Sequence, residues 1–135
     1  MENDLIDSLS YDPQKLPMTI GTILKLWFDA LPHPAWIKSY KKDAFRMAYT
    51  NDRYTKVTGI PPTEYFYEED STVWSDETAR RYEINDRDVL ENNKGKIYEE
   101  KVEQFHFLGP KWPVFKGDEI IAVAGLMEDL NGNRH

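Results

Sequence analysis

The chain of 135 residues contains no cysteine. Disulfide bridges, cysteine-ligated zinc, thiolate catalysis and cysteinyl-flavin chemistry are therefore excluded. Basic residues are scarce as well, since 17 Lys and Arg stand against 24 Asp and Glu and give a net charge of −7. This balance argues against nucleic-acid binding by this segment, because phosphate contacts need clustered Lys and Arg.

Long apolar runs are also missing, and no stretch approaches the ~20 residues that a membrane span requires. The N-terminus, Met1-Glu2-Asn3-Asp4, is acidic and unlike a signal peptide. We therefore expect a soluble, cytoplasmic protein. The length predicts one domain with room for a small internal cavity.

Aromatic residues, by contrast, are abundant: the chain has 4 Trp, 8 Tyr and 6 Phe. Such large planar groups are suited to lining a pocket or an interface.

The clearest strand pattern lies near the C-terminus. Residues 111–115 and 120–127 are two apolar segments joined by a tight turn at 116–118. In the second segment both alternating sets of side chains are apolar, which predicts a strand inside a sheet that is covered on both faces.

The remaining pattern gives the order helix, two strands, several short helices and three strands. We expect an N-terminal arm over residues 1–17 and a helix over residues 18–31 that ends before Pro32 and Pro34. The order predicts an α+β fold with a five-stranded antiparallel sheet, short helices on one face and the N-terminal helix on the other.

The middle elements can be placed more closely. A hairpin over residues 35–49 is expected to put Phe45, Met47 and Tyr49 on one face. Asn51 is the expected N-cap of a short helix that ends at Gly59. Another short helical turn is expected at residues 61–67, and residues 97–107 are a strand or tight hairpin that ends at Leu108-Gly109-Pro110.

A longer helix is expected from the N-cap Ser75 to Gly95. One side of this helix is expected to be buried, because a thin stripe of residues recurs there at helical spacing. The stripe consists of Ala79, Tyr82, Asp86, Val89 and Leu90.

The helix over residues 18–31 allows two interpretations. It is a core helix, or it packs on the outer face of the sheet and also pairs with a second copy of the chain. The second interpretation rests on Leu26 and Phe28, which lie off the main apolar stripe and would otherwise be exposed.

The order of elements and several short motifs together resemble a PAS domain. The motifs are Tyr49-Thr50-Asn51 leading into Tyr54, Val57-Thr58-Gly59-Ile60, Lys111-Trp112-Pro113 and the ending Gly125–Leu130. The resemblance implies a PAS domain over residues 32–131, with a pocket between the inner sheet face and the short helices. It also implies a domain that senses or dimerises and is not an enzyme.

A narrower resemblance involves the N-terminus. Residues 12–15 and 27–38 are similar to the start of VqmA-type quorum-sensing receptors of vibrios and of phages that infect them. This implies a cytoplasmic transcription factor that forms a homodimer and whose PAS domain binds the pyrazine autoinducer dimethylpyrazinol. It further implies DNA binding only through a C-terminal helix-turn-helix domain absent from this chain, towards which we expect residues 132–135 to lead.

A small heteroaromatic ligand needs flat stacking surfaces and one or two fixed polar groups. The aromatic residues expected to project toward the pocket are Tyr49, Phe66, Tyr98 and Phe107. Taken singly, each is more simply an ordinary core residue, but this interpretation is less favoured for the group, because so many rings converge on so small a core.

The resemblance also implies a pocket lysine from the later strands, which here is Lys101 or Lys111. Of the two we favour Lys101, although a surface ion pair with Glu99, Glu100 or Glu103 is its simpler interpretation.

No cofactor, metal or catalytic group is expected. His33, His106 and His135 are far apart, and the helix over residues 79–93 has neither His nor Met to ligate haem. A PAS module that only dimerises, with a filled interior, is the alternative function. A small cone-shaped α+β isomerase would need an inward carboxylate with a raised pKa, and nothing in the sequence singles one out.

Overall fold

The computed structural model describes residues 18–130, apart from the side chain of Ile20. The arm expected at residues 1–17 and the tail expected at 132–135 lie outside the described residues. Within residues 18–130, no helix is both long and apolar enough to cross a membrane.

The elements follow the expected order. They are α1 (Ile20–Asp29), β1 (Ala35–Lys41), β2 (Ala44–Thr50), α2 (Asp52–Thr58), α3 (Pro62–Tyr65), α4 (Asp70–Val73), α5 (Asp76–Asn92), β3 (Lys96–Val102), β4 (Phe105–Lys116), β5 (Glu119–Leu126) and β6 (Glu128–Asp129).

The strands form one antiparallel sheet in the order β2-β1-β5-β4-β3, and the short β6 pairs with β4 outside this path. The predicted α+β class and the five-stranded antiparallel path are confirmed, with β6 as an addition. Helices α2 to α5 cover the inner face, where the core lies, while α1 meets the outer face at Tyr49.

The central strand β5 has the predicted burial on both faces. Val123 is buried on the inner face, and Ala122 and Ala124 are buried on the outer face.

A bulge in the β1–β2 pair corrects one expectation. Ile37 is opposite Tyr49 while Lys38 is opposite Met47, so Ala48 is the extra residue. Because side chains alternate along a strand, one extra residue moves Tyr49 to the face opposite Met47. The expectation that Tyr49 shares a face with Met47 is therefore wrong.

Strand β4 is longer than predicted, because it continues through Gly109-Pro110. Pro110 is opposite Ile97 of β3, whereas the ladder with β5 begins only at Lys111. The missing N–H of Pro110 therefore falls where β4 has a partner on one side only, a position that tolerates proline.

The predicted helix caps are largely confirmed. The side chains of Asn51 and Ser75 cap α2 and α5, and Gly59 ends α2 in the left-handed conformation. Helix α5 ends earlier than predicted, at Asn93 and not Gly95, because asparagine also adopts the left-handed conformation that a C-cap needs. The single turn α4 was not anticipated.

Candidate ligand pocket between the sheet and the helices

The floor of the pocket is the indole of Trp36, which packs directly against Gly125 of the neighbouring strand β5. A Cβ atom at Gly125 would come within 2.3 Å of the Trp36 ring, so only glycine permits this contact. The contact fixes an aromatic surface on the inner face of the sheet.

Two buried lysines stand beside this ring, Lys38 from β1 and Lys111 from β4. Their Nζ atoms lie 4.7 Å and 5.3 Å from the Trp36 ring centroid. From the helical layer, Tyr82 of α5 approaches the same atoms, with its ring centroid 5.1 Å and 5.4 Å away. Cation–π attraction therefore helps to hold both ammonium groups in the interior.

Asp86 of α5 joins the two lysines. Its Oδ2 accepts a hydrogen bond from Lys38 at 2.9 Å, and its Oδ1 accepts one from Lys111 at 2.9 Å. Lys38 has a second carboxylate partner in Asp70 at 2.8 Å, and Lys111 has one in Glu100 at 3.0 Å. Two cations and three anions therefore form one buried cluster, in which every charge has an opposite partner.

Within the cluster, the pKa values of Asp86 and Lys38 are shifted. Burial alone would raise the pKa of Asp86, but the charges and hydrogen bonds of Lys111 and Lys38 outweigh it and hold this pKa below its usual value. Burial would lower the pKa of Lys38, but the charges of Asp70 and Asp86 reverse the effect and raise it. Both groups are therefore charged at neutral pH.

Further hydrogen bonds tie the outer carboxylates to the helical layer. The hydroxyl of Tyr65 donates to Asp70 at 2.5 Å, and the amide of Asn85 donates to Glu100 at 2.8 Å. The cluster thus connects the sheet to α3, α4 and α5.

The space that remains among these groups is small. It measures about 10 Å³, which is about the room that one water molecule needs. Its lining residues are Trp36, Lys38, Met47, Tyr54, Tyr65, Tyr82, Glu100, Phe107, Lys111 and Met127.

Three of the six residues predicted for the site lie at or beside this cavity. Phe107 and Lys111 line it. Tyr98 is buried next to it, with its ring centroid 5.6 Å from Lys111 Nζ and its hydroxyl donating to Asp88 at 2.7 Å.

The other three lie elsewhere, so their expected projection into the pocket is corrected. Tyr49 packs on Phe28 of α1 at the outer face, with the ring centroids 5.1 Å apart. Phe66 is 53% exposed, because Tyr65 takes the buried position at the end of α3. Lys101 is exposed on the outer face, since Glu100 and Val102 on either side of it point inward. Ligand binding by any of the six stays a prediction.

The predicted site lacks two charged residues of the pocket, Asp86 and Lys38, although the sequence contains a pattern for each. The predicted buried stripe of α5 includes Asp86, and an acidic residue at such a position requires an internal cation. Lys38 lies two residues after the apolar Trp36, so the two side chains share one face of the strand and Lys38 points inward. The two observations together predict an ion pair.

Comparisons with known proteins show the fold. No protein-family model and no curated protein matches the chain. Among solved structures, the PAS domain of BvgS from Bordetella pertussis is similar with a TM-score of 0.67 and 17% identity, over 83% of this chain and 87% of that one. A LOV protein from Rhodobacter sphaeroides is similar with a TM-score of 0.65 and 18% identity, over 86% of this chain and 70% of that one. The chain therefore has the PAS fold.

One similar structure matches the narrower resemblance. It is the phage VqmA–DPO complex, with a TM-score of 0.63 and 19% identity over 81% of this chain. The match spans 52% of the VqmA chain. The chain thus resembles the PAS domain of VqmA in fold.

Proposed function

We propose that the chain is the sensory PAS domain of a cytoplasmic quorum-sensing regulator and has no catalytic activity. In this proposal it binds a small polar heteroaromatic ring such as dimethylpyrazinol and forms a homodimer. Ligand binding then controls DNA binding by a helix-turn-helix domain attached to it. The observation that carries the proposal is the inner cavity, which combines aromatic surfaces with buried lysine donors and carboxylate acceptors.

The buried charges support a ligand more than a purely structural role. An apolar core of the same volume is often as stable as a buried ion cluster, or more stable. A pyrazinol ring, however, needs both donors and acceptors beside a stacking surface. Trp36 and Phe107 offer the surface, and Lys111 and Glu100 offer the polar groups.

The pocket must widen to admit such a ring, because about 10 Å³ holds only about one water molecule. Met47 and Met127 line the cavity, and methionine side chains change conformation easily. We therefore expect binding to shift these side chains and the short helices above them. The ligand can bias the domain only by the difference in its affinity for the narrow and the widened state.

The resemblance to VqmA supports the choice of ligand, since the similar phage structure is a complex of VqmA with DPO, the abbreviation for dimethylpyrazinol. The proposed dimer and DNA-binding domain follow from the same resemblance.

The test is a pair of charge-matched double variants. Lys111→Met with Glu100→Gln removes one charge of each sign from the cavity, while Lys101→Met with Glu99→Gln does the same on the outer face. Dimethylpyrazinol should raise the Tm of the wild type and of the outer-face variant. At a ligand concentration of about 100 times Kd, binding to the folded state adds about 2.7 kcal/mol to the free energy of unfolding. The cavity variant should show no rise, with circular dichroism confirming that it is folded. A wild-type Tm that is insensitive to the ligand would refute the proposal.

A second candidate function is a dimerisation module without a ligand. It is favoured by the small volume of the cavity and by the exposed apolar residues of α1. In that case the purified protein releases no small molecule in mass spectrometry and is dimeric in sedimentation.

A further inference from the structure

We infer that Tyr82 selects the ligand, by donating a hydrogen bond to a ring nitrogen of an uncharged heteroaromatic molecule. The inference rests on the proposed function and adds the residue that recognises the ring nitrogen and the requirement that the ligand be uncharged.

The hydroxyl of Tyr82 is buried and has no hydrogen-bond partner among residues 18–130. The residue is only 6% exposed and lines the cavity, yet its Oη makes no hydrogen bond within the described part of the chain. The other buried polar side-chain atoms without a partner there belong to Thr50, Thr55 and Trp74, none of which lines the cavity. A buried hydroxyl that lacks a partner costs roughly 1–3 kcal/mol, so a ligand that supplies one gains affinity.

Neighbouring tyrosines do not share this property. Tyr65 lines the same cavity, but its hydroxyl already donates to Asp70. The hydroxyl of Tyr98 already donates to Asp88. Among the tyrosines that line the cavity, Tyr82 is the one whose hydroxyl is buried without a partner in the described part of the chain, and a ligand contact is therefore expected there.

The hydroxyl of Tyr82 acts as a donor because it stays protonated. Burial, followed by the nearby Tyr54 and the charge of Glu100, raises its pKa well above the usual value. A ring nitrogen is an acceptor only and fits this donor. The hydroxyl of a pyrazinol both donates and accepts, which fits the adjacent Glu100 and Lys111.

The charge of the cluster excludes anions. Asp70, Asp86 and Glu100 outnumber Lys38 and Lys111 by one negative charge. A carboxylate ligand would add a second excess negative charge to a site with little water, where repulsion is strong. The cavity therefore disfavours anions, and a ring nitrogen can accept a hydrogen bond from Tyr82 only when it carries no proton, so the expected ligand is neutral.

The experiment combines one variant with three probes. Calorimetry measures the Kd of the wild type and of Tyr82→Phe for dimethylpyrazinol, for dimethylphenol, in which CH groups replace the ring nitrogens, and for a pyrazine carboxylate. Tyr82→Phe should weaken the binding of dimethylpyrazinol about tenfold. It should leave the binding of dimethylphenol unchanged, and the carboxylate should bind neither protein.

Thermal stability separates this role from ordinary packing. Tyr82→Phe removes a hydroxyl without a partner and should raise the Tm by about 3 °C, whereas Tyr65→Phe removes a paired one and should lower it. Three results would overturn the inference. The first is a lower Tm for Tyr82→Phe than for the wild type. The others are an equal loss of affinity for dimethylpyrazinol and dimethylphenol, or an unchanged affinity for dimethylpyrazinol. If the wild type binds no probe, the proposed function fails first and the inference with it.

Discussion

At the scale of single residues, Asp86 is the residue on which the interior most depends. It is fully buried and is the carboxylate that contacts both Lys38 and Lys111. Asp86→Asn keeps the shape of the side chain but removes its negative charge. The buried ammonium groups of Lys38 and Lys111 then lose the carboxylate that they share. We predict a loss of about 3–5 kcal/mol in the free energy of unfolding, measured by urea denaturation. Glu77→Gln, which breaks an exposed ion pair with Arg81, is the matched control and should change it by less than about 1 kcal/mol. Equal effects of the two substitutions would contradict this account.

The same cluster predicts how stability depends on pH. The folded pKa of Asp86 lies below its ordinary value of 3.8, so its contribution is present above about pH 4 and is lost as the pH falls through the folded value. The folded pKa of Lys38 lies above its ordinary value of 10.5, so its contribution is present below that pH and is lost as the pH rises through the folded value. Urea unfolding from about pH 3 to about pH 11 should therefore give a central plateau, with stability beginning to fall below about pH 4 and above about pH 10.5.

Asp86→Asn serves as the control for this profile. It should flatten the acid limb, because the group that takes up the proton on unfolding is gone. If the acid limb of Asp86→Asn is as steep as that of the wild type, the loss of stability at low pH comes from other carboxylates.

The candidate site could be predicted only in part at this scale. Phe107 and Lys111 were identified from their place on the later strands. The resemblance implied a pocket lysine, for which Lys101 was favoured over Lys111. Alternation along β3 decides which side chains face inward, and Glu100 takes that position. Placing Tyr49 correctly would have required knowing of the bulge at Ala48, which depends on pairing with β1 and has no local pattern.

At the scale of elements, Asn51 is a junction between α1, β1 and α2. Its Oδ1 accepts hydrogen bonds from the backbone N–H groups of Ala35 and Tyr54, and its Nδ2 donates to the carbonyls of Phe28 and His33. Asn51→Ala should therefore cost more than the loss of one cap.

We predict a loss of at least about 2 kcal/mol for Asn51→Ala in urea denaturation, because buried backbone groups are left without partners. Ser75→Ala, which removes a cap with one hydrogen bond at Thr78, is the comparison and should cost about 1 kcal/mol. A smaller effect at Asn51 than at Ser75 would show that the junction does not hold these elements together.

The helix ends could be predicted from the sequence, because capping depends on residues that are close together along the chain. Asn51, Gly59 and Ser75 are at helix ends where cap chemistry acts within three or four residues. The turn α4 contains only four residues. It is held by tertiary contacts, among them the Lys38–Asp70 ion pair, and so it lacks a periodic pattern of its own.

At the scale of the whole molecule, the strand order could not be derived from periodicity. Pairing of β1 with β5 joins residues some 90 positions apart, Ala35 with Leu126, and alternation identifies faces without identifying partners. The order of elements and the PAS motifs supplied that information through the resemblance.

The outer side of the molecule leads to the last prediction. In the described part of the chain, Leu24, Leu26 and Trp27 of α1 are all more than half exposed, and Trp27 reaches 62%. Trp112 and Phe115 are partly exposed on β4. Phe28, by contrast, is covered by Tyr49, so the expectation that it would be exposed is wrong while that for Leu26 holds.

Exposed apolar residues on one helix and on one sheet favour self-association, because a second copy can bury both. We predict a dimer for the wild type in sedimentation velocity, and a monomer for Trp27→Glu at the same micromolar concentration. Ile84→Glu is the control, since Ile84 is similarly exposed at 61% but lies on α5 in the helical layer. It should remain dimeric. Dissociation by Ile84→Glu, with Trp27→Glu still dimeric, would move the interface to the helical side. The proposed signal would then have to leave the domain directly through the helices above the pocket.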